Sequence, residues 1–284
     1  MKNKISLQEK FAELQQEKRA LLATNFYNFE TIKGVLHAAA SEKSPIILQL
    51  TKSSIDYLGL PVATQLARSM LNYYEVEGWL HLDHGNSYEL VAACLDAGFD
   101  SVMIDASEEP FNENVAITRN IVRLAESYGA NVEAELGYIA KLGQKTNTIG
   151  FTEPGDAKSF VEETGVHALA VAIGSAHGFY KDEPKIDLDR LAAIQKVTPA
   201  ALVLHGASGI PHDVLREAIK RGICKINLAT EIKNIFMKTL KNKLANEDEI
   251  DLRKVFPPAT DAVTELVREK LRAIQIENKA QINT

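Results

Sequence analysis

The sequence predicts an α/β protein: a single (β/α)8 barrel, in which eight parallel strands alternate with helices, with extra helices at the C-terminal end. Eight short runs rich in apolar and β-branched residues recur along the chain, and segments with helical periodicity lie between them. Parallel strands need a crossover, usually a helix, and eight such units close into a barrel. No Pro-rich or Ser-rich linker interrupts the alternation, so we expect residues 1–284 to form one domain. A doubly wound open sheet is the structural alternative.

The elements can be assigned in chain order. The first is an amphipathic helix, Ser6–Lys18, in which Leu7, Phe11 and Leu14 share one face. The predicted strands are Leu21–Phe26, Ile46–Leu50, Trp79–Leu82, Ser101–Ile104, Asn131–Leu136, Leu169–Ile173, Ala201–Leu204 and Ile223–Leu228. Helices between them include Glu89–Ala97, Asn114–Tyr128, Asp156–Glu163, Leu188–Lys196 and Asp213–Arg221. After the last strand we expect two more helices, Glu231–Ala245 and Asp261–Ile274, joined by the polar stretch Asn246–Pro258.

The composition limits the classes of partner. Hydrophobic residues make up 45% of the chain and charged residues 25%, which suits a sizeable core. The net charge is −6 and no basic block is present, so nucleic acid is not an expected partner. The N-terminus is polar and no apolar run reaches membrane-spanning length, so we expect a cytoplasmic protein without membrane association. Cys94 and Cys224 are far apart and are expected to be reduced core residues.

Polar side chains gather where the predicted strands end. In a barrel of this kind the chemistry lies at the mouth, the opening at the carboxyl ends of the strands. The strand ends carry Asn25, Gln49, Thr51, Asp83, His84, Asp105, Ser107, Glu133, Glu135, His177, His205, Asn227 and Thr230. We therefore expect these side chains to converge on one site.

The segment His81-Leu82-Asp83-His84-Gly85 is the densest of these groups. The period of two along a strand places His81 and Asp83 on one face, and His84 turns away only where the strand ends. A carboxylate beside an imidazole suits metal-assisted acid–base chemistry. Taken alone, such a cluster is more often an ordinary hydrogen-bonded strand end.

Two further imidazoles, His177 and His205, lie at the ends of later strands. With His84 they form a three-histidine set, which suits a catalytic zinc ion with one open position. Glu135 is an alternative ligand, or a partner that bonds a ligand from behind. The competing interpretation is that each histidine simply bonds the backbone. We expect no metal role for His37, His167 or His212.

Two small-residue loops suit phosphate. Gly206–Gly209 follows the seventh strand, and Asn227–Thr230 ends the eighth strand and begins a helix. Backbone N–H groups in such loops and at helix N-termini hold an anion without net positive charge. Barrels commonly bind phosphate at this location. The simpler alternative is a pair of tight turns that need small residues.

The ordered set of motifs resembles the class II, metal-dependent ketose-bisphosphate aldolases over nearly the whole chain. The resemblance is closest to the tagatose-bisphosphate aldolase type, because Ala229-Thr230-Glu231 follows Asn227-Leu228. The segments that carry it are His81–Gly85, Ser101–Asp105, Val132–Gly137, Ala170–Gly178, Leu204–Gly209 and Lys225–Thr230.

The resemblance implies roles for individual residues. His84, His177 and His205 would hold zinc, and Asp83 would exchange a proton with the C4 hydroxyl of the substrate. A monovalent cation is implied near the phosphate. Residues implied or expected to contact the substrate are Asn25, Gln49, Thr51, Gly178, Lys181, Gly206, Ala207, Ser208, Asn227, Ala229 and Thr230. Arg253 would reach into a neighbouring subunit and contact the distal phosphate of the substrate bound there, which implies a homodimer or homotetramer. At the preceding position this chain has Leu252, where the family pattern has proline.

Two departures from the family pattern concern the base at the dihydroxyacetone end of the substrate. The family carries acidic residues in the loop after Glu135-Leu136-Gly137, whereas residues 138–148 contain no carboxylate. After Asp105 the chain reads Ala106-Ser107-Glu108-Glu109, where the family pattern is Gly-Ser-His. Either another carboxylate, such as Glu108 or Glu109, takes the place of the family base, or the distal end of the substrate differs from that of the usual sugar bisphosphate.

The expected activity is reversible aldol cleavage of a phosphorylated ketose, such as tagatose or fructose 1,6-bisphosphate, to dihydroxyacetone phosphate and an aldehyde. One alternative is a ketose 1-phosphate with another distal group, for example a sulfonate. Another is a Schiff-base mechanism through Lys225 on the eighth strand. A third is a sugar-phosphate-binding subunit that has lost catalysis.

Overall fold

Eight parallel strands pair in chain order and β8 returns to β1, so the sheet closes into a barrel. The computed structural model describes residues 5–137, 139, 150–180 and 184–275. The strands are β1 (Leu21–Asn25), β2 (Ile46–Thr51), β3 (Gly78–Gly85), β4 (Ser101–Ile104), β5 (Asn131–Leu136), β6 (Ala168–Val171), β7 (Ala201–Leu204) and β8 (Ile223–Leu228). The predicted TIM barrel is confirmed, and the open-sheet alternative is wrong. That residues 1–284 form a single domain stays a prediction.

Helices surround the barrel, as the sequence periodicity predicts. In chain order they are α1 (Leu7–Glu17), α2 (Phe29–Ser41), α3 (Lys52–Leu58), α4 (Leu60–Tyr73), α5 (Tyr88–Asp96), α6 (Phe111–Glu126), α7 (Pro154–Thr164), α8 (Leu188–Val197), α9 (His212–Lys220), α10 (Thr230–Asn246), α11 (Leu252–Val255) and α12 (Pro257–Ile274). The stretch predicted to link the last two helices contains the short α11. Within the described residues, no helix is long and apolar enough to span a membrane.

Helix α1 covers the end of the barrel opposite the mouth. Its buried residues Leu7, Phe11 and Leu14 pack against apolar side chains from the first residues of several strands, including Trp79 of β3. The indole Nε1 of Trp79 also donates a hydrogen bond of 3.1 Å to the carbonyl of Ile5. Because this end is filled with apolar side chains, the polar side chains inside the barrel belong to its upper layers and the mouth.

Strand β3 extends three residues beyond the predicted Leu82, to Gly85. It pairs with β4 as Leu82 with Val102 and Gly85 with Ile104, so β3 carries one extra residue at this point. The extra residue forms a bulge, which turns the side chains that follow it. His84 lies in the bulge with φ 51°, in the left-handed region that non-glycine residues seldom occupy. His84 therefore turns within the strand and not at its end, which corrects the sequence-based interpretation.

Candidate metal centre and substrate pocket

The bulge in β3 brings Asp83 and His84, which are adjacent in sequence, to the same site. The Oδ1 atom of Asp83 lies 3.9 Å from Nε2 of His84. Gly85 is required next to them, because a Cβ atom there would collide with the carbonyl of Met103. A regular strand would send the two side chains to opposite faces. The backbone irregularity thus places a carboxylate beside an imidazole.

Four side chains at the mouth form a cluster that could hold a metal ion. The ligand atoms offered by His84, Glu135, His177 and His205 all lie within 4.8 Å of one another. The structure therefore brings together the three histidines and the glutamate that the sequence singled out.

Two buried atoms of this cluster lack hydrogen-bond partners among the described residues. They are Nδ1 of His205 and Oε2 of Glu135, which lie 3.3 Å apart without hydrogen-bond alignment. Buried polar atoms without partners are costly, and a shared cation would satisfy both. Three imidazole nitrogens and a carboxylate oxygen are ligands that suit zinc. The residues present therefore fit a metal ion.

The charges around the cluster also favour a cation. Burial lowers the pKa of His205, but Glu133 and Glu135 outweigh burial and raise that pKa to about 10. Burial alone would also lower the pKa of His84. The charge of Asp83 and the hydrogen bond with Asp105 outweigh burial, so the pKa of His84 is raised. The carboxylates thus stabilise positive charge at this point, whether a proton or a metal ion carries it.

Carboxylates bond the outer nitrogens of two of the three histidines. Nδ1 of His84 lies 2.6 Å from Oδ2 of Asp105, and Nε2 of His205 lies 2.9 Å from Oε1 of Glu133. Burial disfavours the charged form of Asp105, but the hydrogen bond with His84 lowers its pKa below the usual range. Such partners fix the tautomer and the ring orientation of metal-binding histidines. They leave Nε2 of His84 and Nδ1 of His205 for the cluster.

Side-chain amides position the Asp83 carboxylate. Gln49 Nε2 donates to Oδ1 of Asn25 at 2.8 Å, and Asn25 Nδ2 donates to Oδ2 of Asp83 at 2.9 Å. Asn227 Nδ2 donates to the other oxygen, Oδ1, at 3.5 Å. Burial raises the pKa of Asp83, but the charges of His84 and His205 and the bond from Asn25 lower it overall. Asp83 is thus an oriented carboxylate beside the cluster.

A cavity of about 870 Å³ opens at the mouth next to these groups. Predicted site residues that line it are Asn25, Gln49, Thr51, Asp83, His84, His177, Gly178, Gly206, Ser208, Asn227, Ala229 and Thr230. Ala207, Glu135 and His205 are buried and do not line it. Lys181 and the carboxylate-free loop over residues 140–148 lie outside the described residues.

Arg253 is not among the residues that line the cavity. Its guanidinium Nη2 lies 2.9 Å from Oδ2 of Asp251, two residues earlier in the same chain. The arginine side chain is 90% exposed. A role across a subunit interface stays a prediction.

Residues of both small-residue loops line the cavity. Gly206 has φ 66°, and a Cβ atom there would collide with the Ala176 carbonyl. The Tyr180 hydroxyl ties the loops after β6 and β7 together, because it accepts a hydrogen bond from the Ala176 amide (2.7 Å) and donates one to the Gly206 carbonyl (2.8 Å). Ala229 precedes the first residue of α10, Thr230. Residues of both loops and the first residue of α10 thus line the same cavity, and backbone amides at such positions are suited to bind an anion.

Tyr27 and Lys233 are among the cavity-lining residues that sequence reasoning missed. The Lys233 ammonium lies 5.4 Å from the centroid of the Tyr27 ring, within cation–π range. Of the lysines and arginines in the described part of the chain, Lys233 is the one that lines the cavity. The available signal was its position three residues after Thr230, on the first turn of a helix with a predicted phosphate site at its start.

Lys225, the candidate for a Schiff base, is fully buried below the cluster. Its ammonium lies 2.8 Å from Oε2 of Glu133 and 3.3 Å from Nε2 of His81. Burial and the charge of Lys225 lower the pKa of His81 to about 3. A nucleophilic amine must be free and must reach the substrate, so this geometry does not favour the Schiff-base alternative.

Comparison with known proteins agrees with the fold and shows the family. The family model described as "Fructose-bisphosphate aldolase class-II" matches residues 5–279. Fructose-bisphosphate aldolase of Geobacillus stearothermophilus is 38% identical over 284 residues, covering 97% of this chain and 98% of the relative. The corresponding enzyme of Helicobacter pylori strain J99 is 37% identical, covering 90% and 93%.

A solved structure with the same fold is the YdjI aldolase of Escherichia coli K12. It is 31% identical, with a TM-score of 0.86 over 97% of this chain and 99% of that chain. A structure from Coccidioides immitis, described as a putative fructose-1,6-biphosphate aldolase, is 28% identical with a TM-score of 0.87 over 96% and 97%. The family is metal-dependent and its members are lyases. This chain belongs to the class II fructose-bisphosphate aldolase family.

Proposed function

We propose that this protein cleaves fructose 1,6-bisphosphate or tagatose 1,6-bisphosphate reversibly, to dihydroxyacetone phosphate and an aldehyde. Family membership supports metal-dependent cleavage of a ketose bisphosphate. The observation that carries the proposal is the cluster of His84, Glu135, His177 and His205 beside the oriented carboxylate of Asp83. The relatives, which are named fructose-bisphosphate aldolases, do not favour a different distal group or a non-catalytic subunit.

Zinc is the proposed ion, one per subunit, held by His84, His177 and His205. Glu135 is a fourth ligand or a partner of His205, whose Nδ1 it faces at 3.3 Å. The Lewis acidity that the ion supplies favours the negative charge that develops on the ketose carbonyl oxygen when the C3–C4 bond breaks. The protein residues arrange and complete this chemistry.

Asp83 is the proposed acid–base residue at C4. In cleavage its carboxylate takes the proton of the C4 hydroxyl while the C3–C4 bond breaks, so the aldehyde forms at C4. In condensation the protonated carboxyl returns that proton to the new C4 oxygen. The amide of Asn25, 2.9 Å from Oδ2, holds the carboxylate in place for both directions.

Phosphate is proposed to bind between the two small-residue loops. The backbone amides of Gly178, Gly206 and Ser208, together with those of Asn227, Ala229 and Thr230, form the cradle for the C1 phosphate. Ala207 is buried between Gly206 and Ser208 and supports this loop. Lys233 adds the positive charge that a dianion requires in an otherwise acidic cavity. Gln49 and Thr51 line the cavity and complete the substrate contacts, with Lys181 and a monovalent cation near the phosphate.

The base at the dihydroxyacetone end is proposed to be Glu108 or Glu109. Both line the cavity and both are exposed. A carboxylate there takes the place of the acidic residues that residues 138–148 lack.

We further propose a cytoplasmic homodimer or homotetramer, with no nucleic-acid or membrane partner. In that assembly Arg253 contacts the distal phosphate of the substrate bound to a neighbouring subunit. The 90% exposure of its side chain leaves it available for such a contact.

The proposal is tested with zinc-loaded protein and a panel of substrates. The panel contains fructose and tagatose 1,6-bisphosphates, the two ketose 1-phosphates, and a ketose 1-phosphate with a distal sulfonate. We expect the highest kcat/KM with one of the two bisphosphates. Turnover of the sulfonate alone, or sugar-phosphate binding without turnover by the zinc-loaded protein, would contradict the proposal.

A further inference from the structure

We infer that Lys225 and Glu133 form a buried charged pair that positions His205 as a metal ligand. The inference rests on the proposed function, because it takes His205 to be a ligand. Lys225 lies in β8 and Glu133 in β5, and both side chains are completely buried inside the barrel. Neither lines the cavity and neither belongs to the cluster of four possible ligands, so neither is placed to contact the substrate or the ion.

The hydrogen-bond directions follow from the chemistry of the groups. A lysine ammonium can only donate, so Lys225 donates to Oε2 of Glu133 at 2.8 Å. The other oxygen, Oε1, lies 2.9 Å from Nε2 of His205 and accepts the proton of that nitrogen. With its proton on Nε2, a neutral His205 presents the lone pair of Nδ1 to the cluster. Glu133 thus selects the tautomer that can bind a metal.

Lys225 is itself held from the other side. Nε2 of His81 lies 3.3 Å from the ammonium and must accept, so Nδ1 of His81 carries the proton and donates to Oγ of Ser101 at 2.8 Å. Asn131 Nδ2 donates to the same oxygen at 3.0 Å. A continuous chain of hydrogen bonds therefore crosses the barrel. It runs from Asn131 in β5 through Ser101 in β4, His81 in β3 and Lys225 in β8 to Glu133, which is also in β5. Because an ammonium can only donate, Lys225 fixes the direction of the bonds to Glu133 and through His81.

Removal of one charge from this buried pair is expected to be more damaging than removal of both. A buried ion pair that loses one partner leaves an uncompensated charge, whereas replacement of both partners by neutral groups is often tolerated. Removal of Lys225 alone leaves Glu133 as a lone buried carboxylate against His205. Removal of both charges restores neutrality, and a glutamine at position 133 still offers an oxygen to Nε2 of His205.

The test measures metal affinity and not activity alone. Zinc affinity of the folded protein is measured by chelator competition, and the visible absorption of the Co²⁺-loaded protein reports the ligand geometry. K225M is expected to weaken zinc binding by about tenfold or more and to change the Co²⁺ spectrum. The double variant K225M/E133Q is expected to recover most of that affinity.

Two comparisons separate positioning from mere stabilisation. K270M breaks a second, largely buried lysine–glutamate pair, in which Lys270 lies 2.9 Å from Glu231, and is expected to lower stability without changing zinc affinity. K225M/E133L is as neutral as K225M/E133Q but cannot accept from His205, so it should bind zinc about tenfold more weakly. This second comparison decides the question even if K225M alone does not fold.

Wild-type zinc affinity in K225M, with only the loss of stability seen in K270M, would overturn the inference. Equal zinc affinities of K225M/E133L and K225M/E133Q would also overturn it. In either case the proposed function would stand, provided that the wild-type protein binds zinc. A wild-type protein that binds no metal would instead overturn the proposed function, and this inference with it.

Discussion

Asn25 holds one oxygen of the Asp83 carboxylate, with 2.9 Å between Asn25 Nδ2 and Asp83 Oδ2. The other oxygen, Oδ1, lies 3.9 Å from Nε2 of His84. Oδ2 is therefore held by Asn25, whereas Oδ1 lies beside the His84 ring and accepts a longer hydrogen bond of 3.5 Å from Asn227 Nδ2. This division allows a proton to move at Oδ1 without movement of the carboxylate group.

Replacement of Asp83 by asparagine tests the proposed proton transfer. The amide keeps the size of the side chain but cannot take the C4 proton, so we expect kcat for cleavage to fall by about 10²–10⁴-fold. Zinc content should not change, because Asp83 is not among the four clustered ligands. Steady-state kinetics and metal analysis check both statements. A kcat for D83N within a few-fold of the wild type would exclude Asp83 as the acid–base residue.

The base at the other end is tested by proton exchange of dihydroxyacetone phosphate in heavy water. Exchange at C3 needs the base at that carbon but not the C4 acid–base residue, so the D83N variant should retain it. The E108Q/E109Q double variant should lose exchange by about 10²-fold or more, and the single variants should show which carboxylate acts. Normal exchange in the double variant would place the base elsewhere in the chain.

The proposed phosphate contact of Lys233 predicts a specific kinetic change. K233M should raise KM for the bisphosphate by about tenfold with a smaller change in kcat, because it removes a charged hydrogen bond to substrate. If Lys233 contacts the C1 phosphate, K233M should raise KM by the same factor for the ketose 1-phosphate, which lacks the distal phosphate. K238M provides the control, since Lys238 is exposed on the same helix and does not line the cavity. Equal KM values for K233M and K238M would refute the contact.

The two cysteines should be inert in the native protein. Both are buried, and burial raises the pKa of the Cys94 and Cys224 thiols to about 12. The reactive thiolate is therefore scarce at pH 8. A thiol reagent at pH 8 should detect no free thiol in the native protein and two after unfolding in denaturant. Rapid labelling of the folded protein would show that these core positions open to solvent.

Much of the fold and of the metal cluster could be predicted from the sequence. Each strand is a short apolar run and each helix has its own periodicity, so local patterns define the barrel. Parallel strands in a barrel bring all their carboxyl ends to one mouth. For that reason His84, His177 and His205, which are far apart in the chain, could be placed together without a structure.

The remaining features depend on contacts that no local pattern records. The bulge at His84 is a mismatch in pairing between β3 and β4, which a period of two within one strand cannot show. Lys225 and Glu133 are 92 residues apart, and only their positions inside the closed barrel pair them. Tyr27 was missed for a similar reason, because its partner Lys233 belongs to the opposite end of the chain.

Metal dependence through His84 tests the account most directly. The cleavage rate of fructose and tagatose 1,6-bisphosphates should be measured for purified protein after exhaustive chelation and again after zinc is restored, beside H84A treated in the same way. We predict that chelation abolishes turnover, that zinc restores it in the wild type, and that H84A stays inactive under both conditions. H37A is the matched control, because His37 lies on α2 outside the cavity, and it should respond as the wild type does. Near-normal turnover after chelation, or an H84A variant as active as H37A, would contradict a metal centre built on His84.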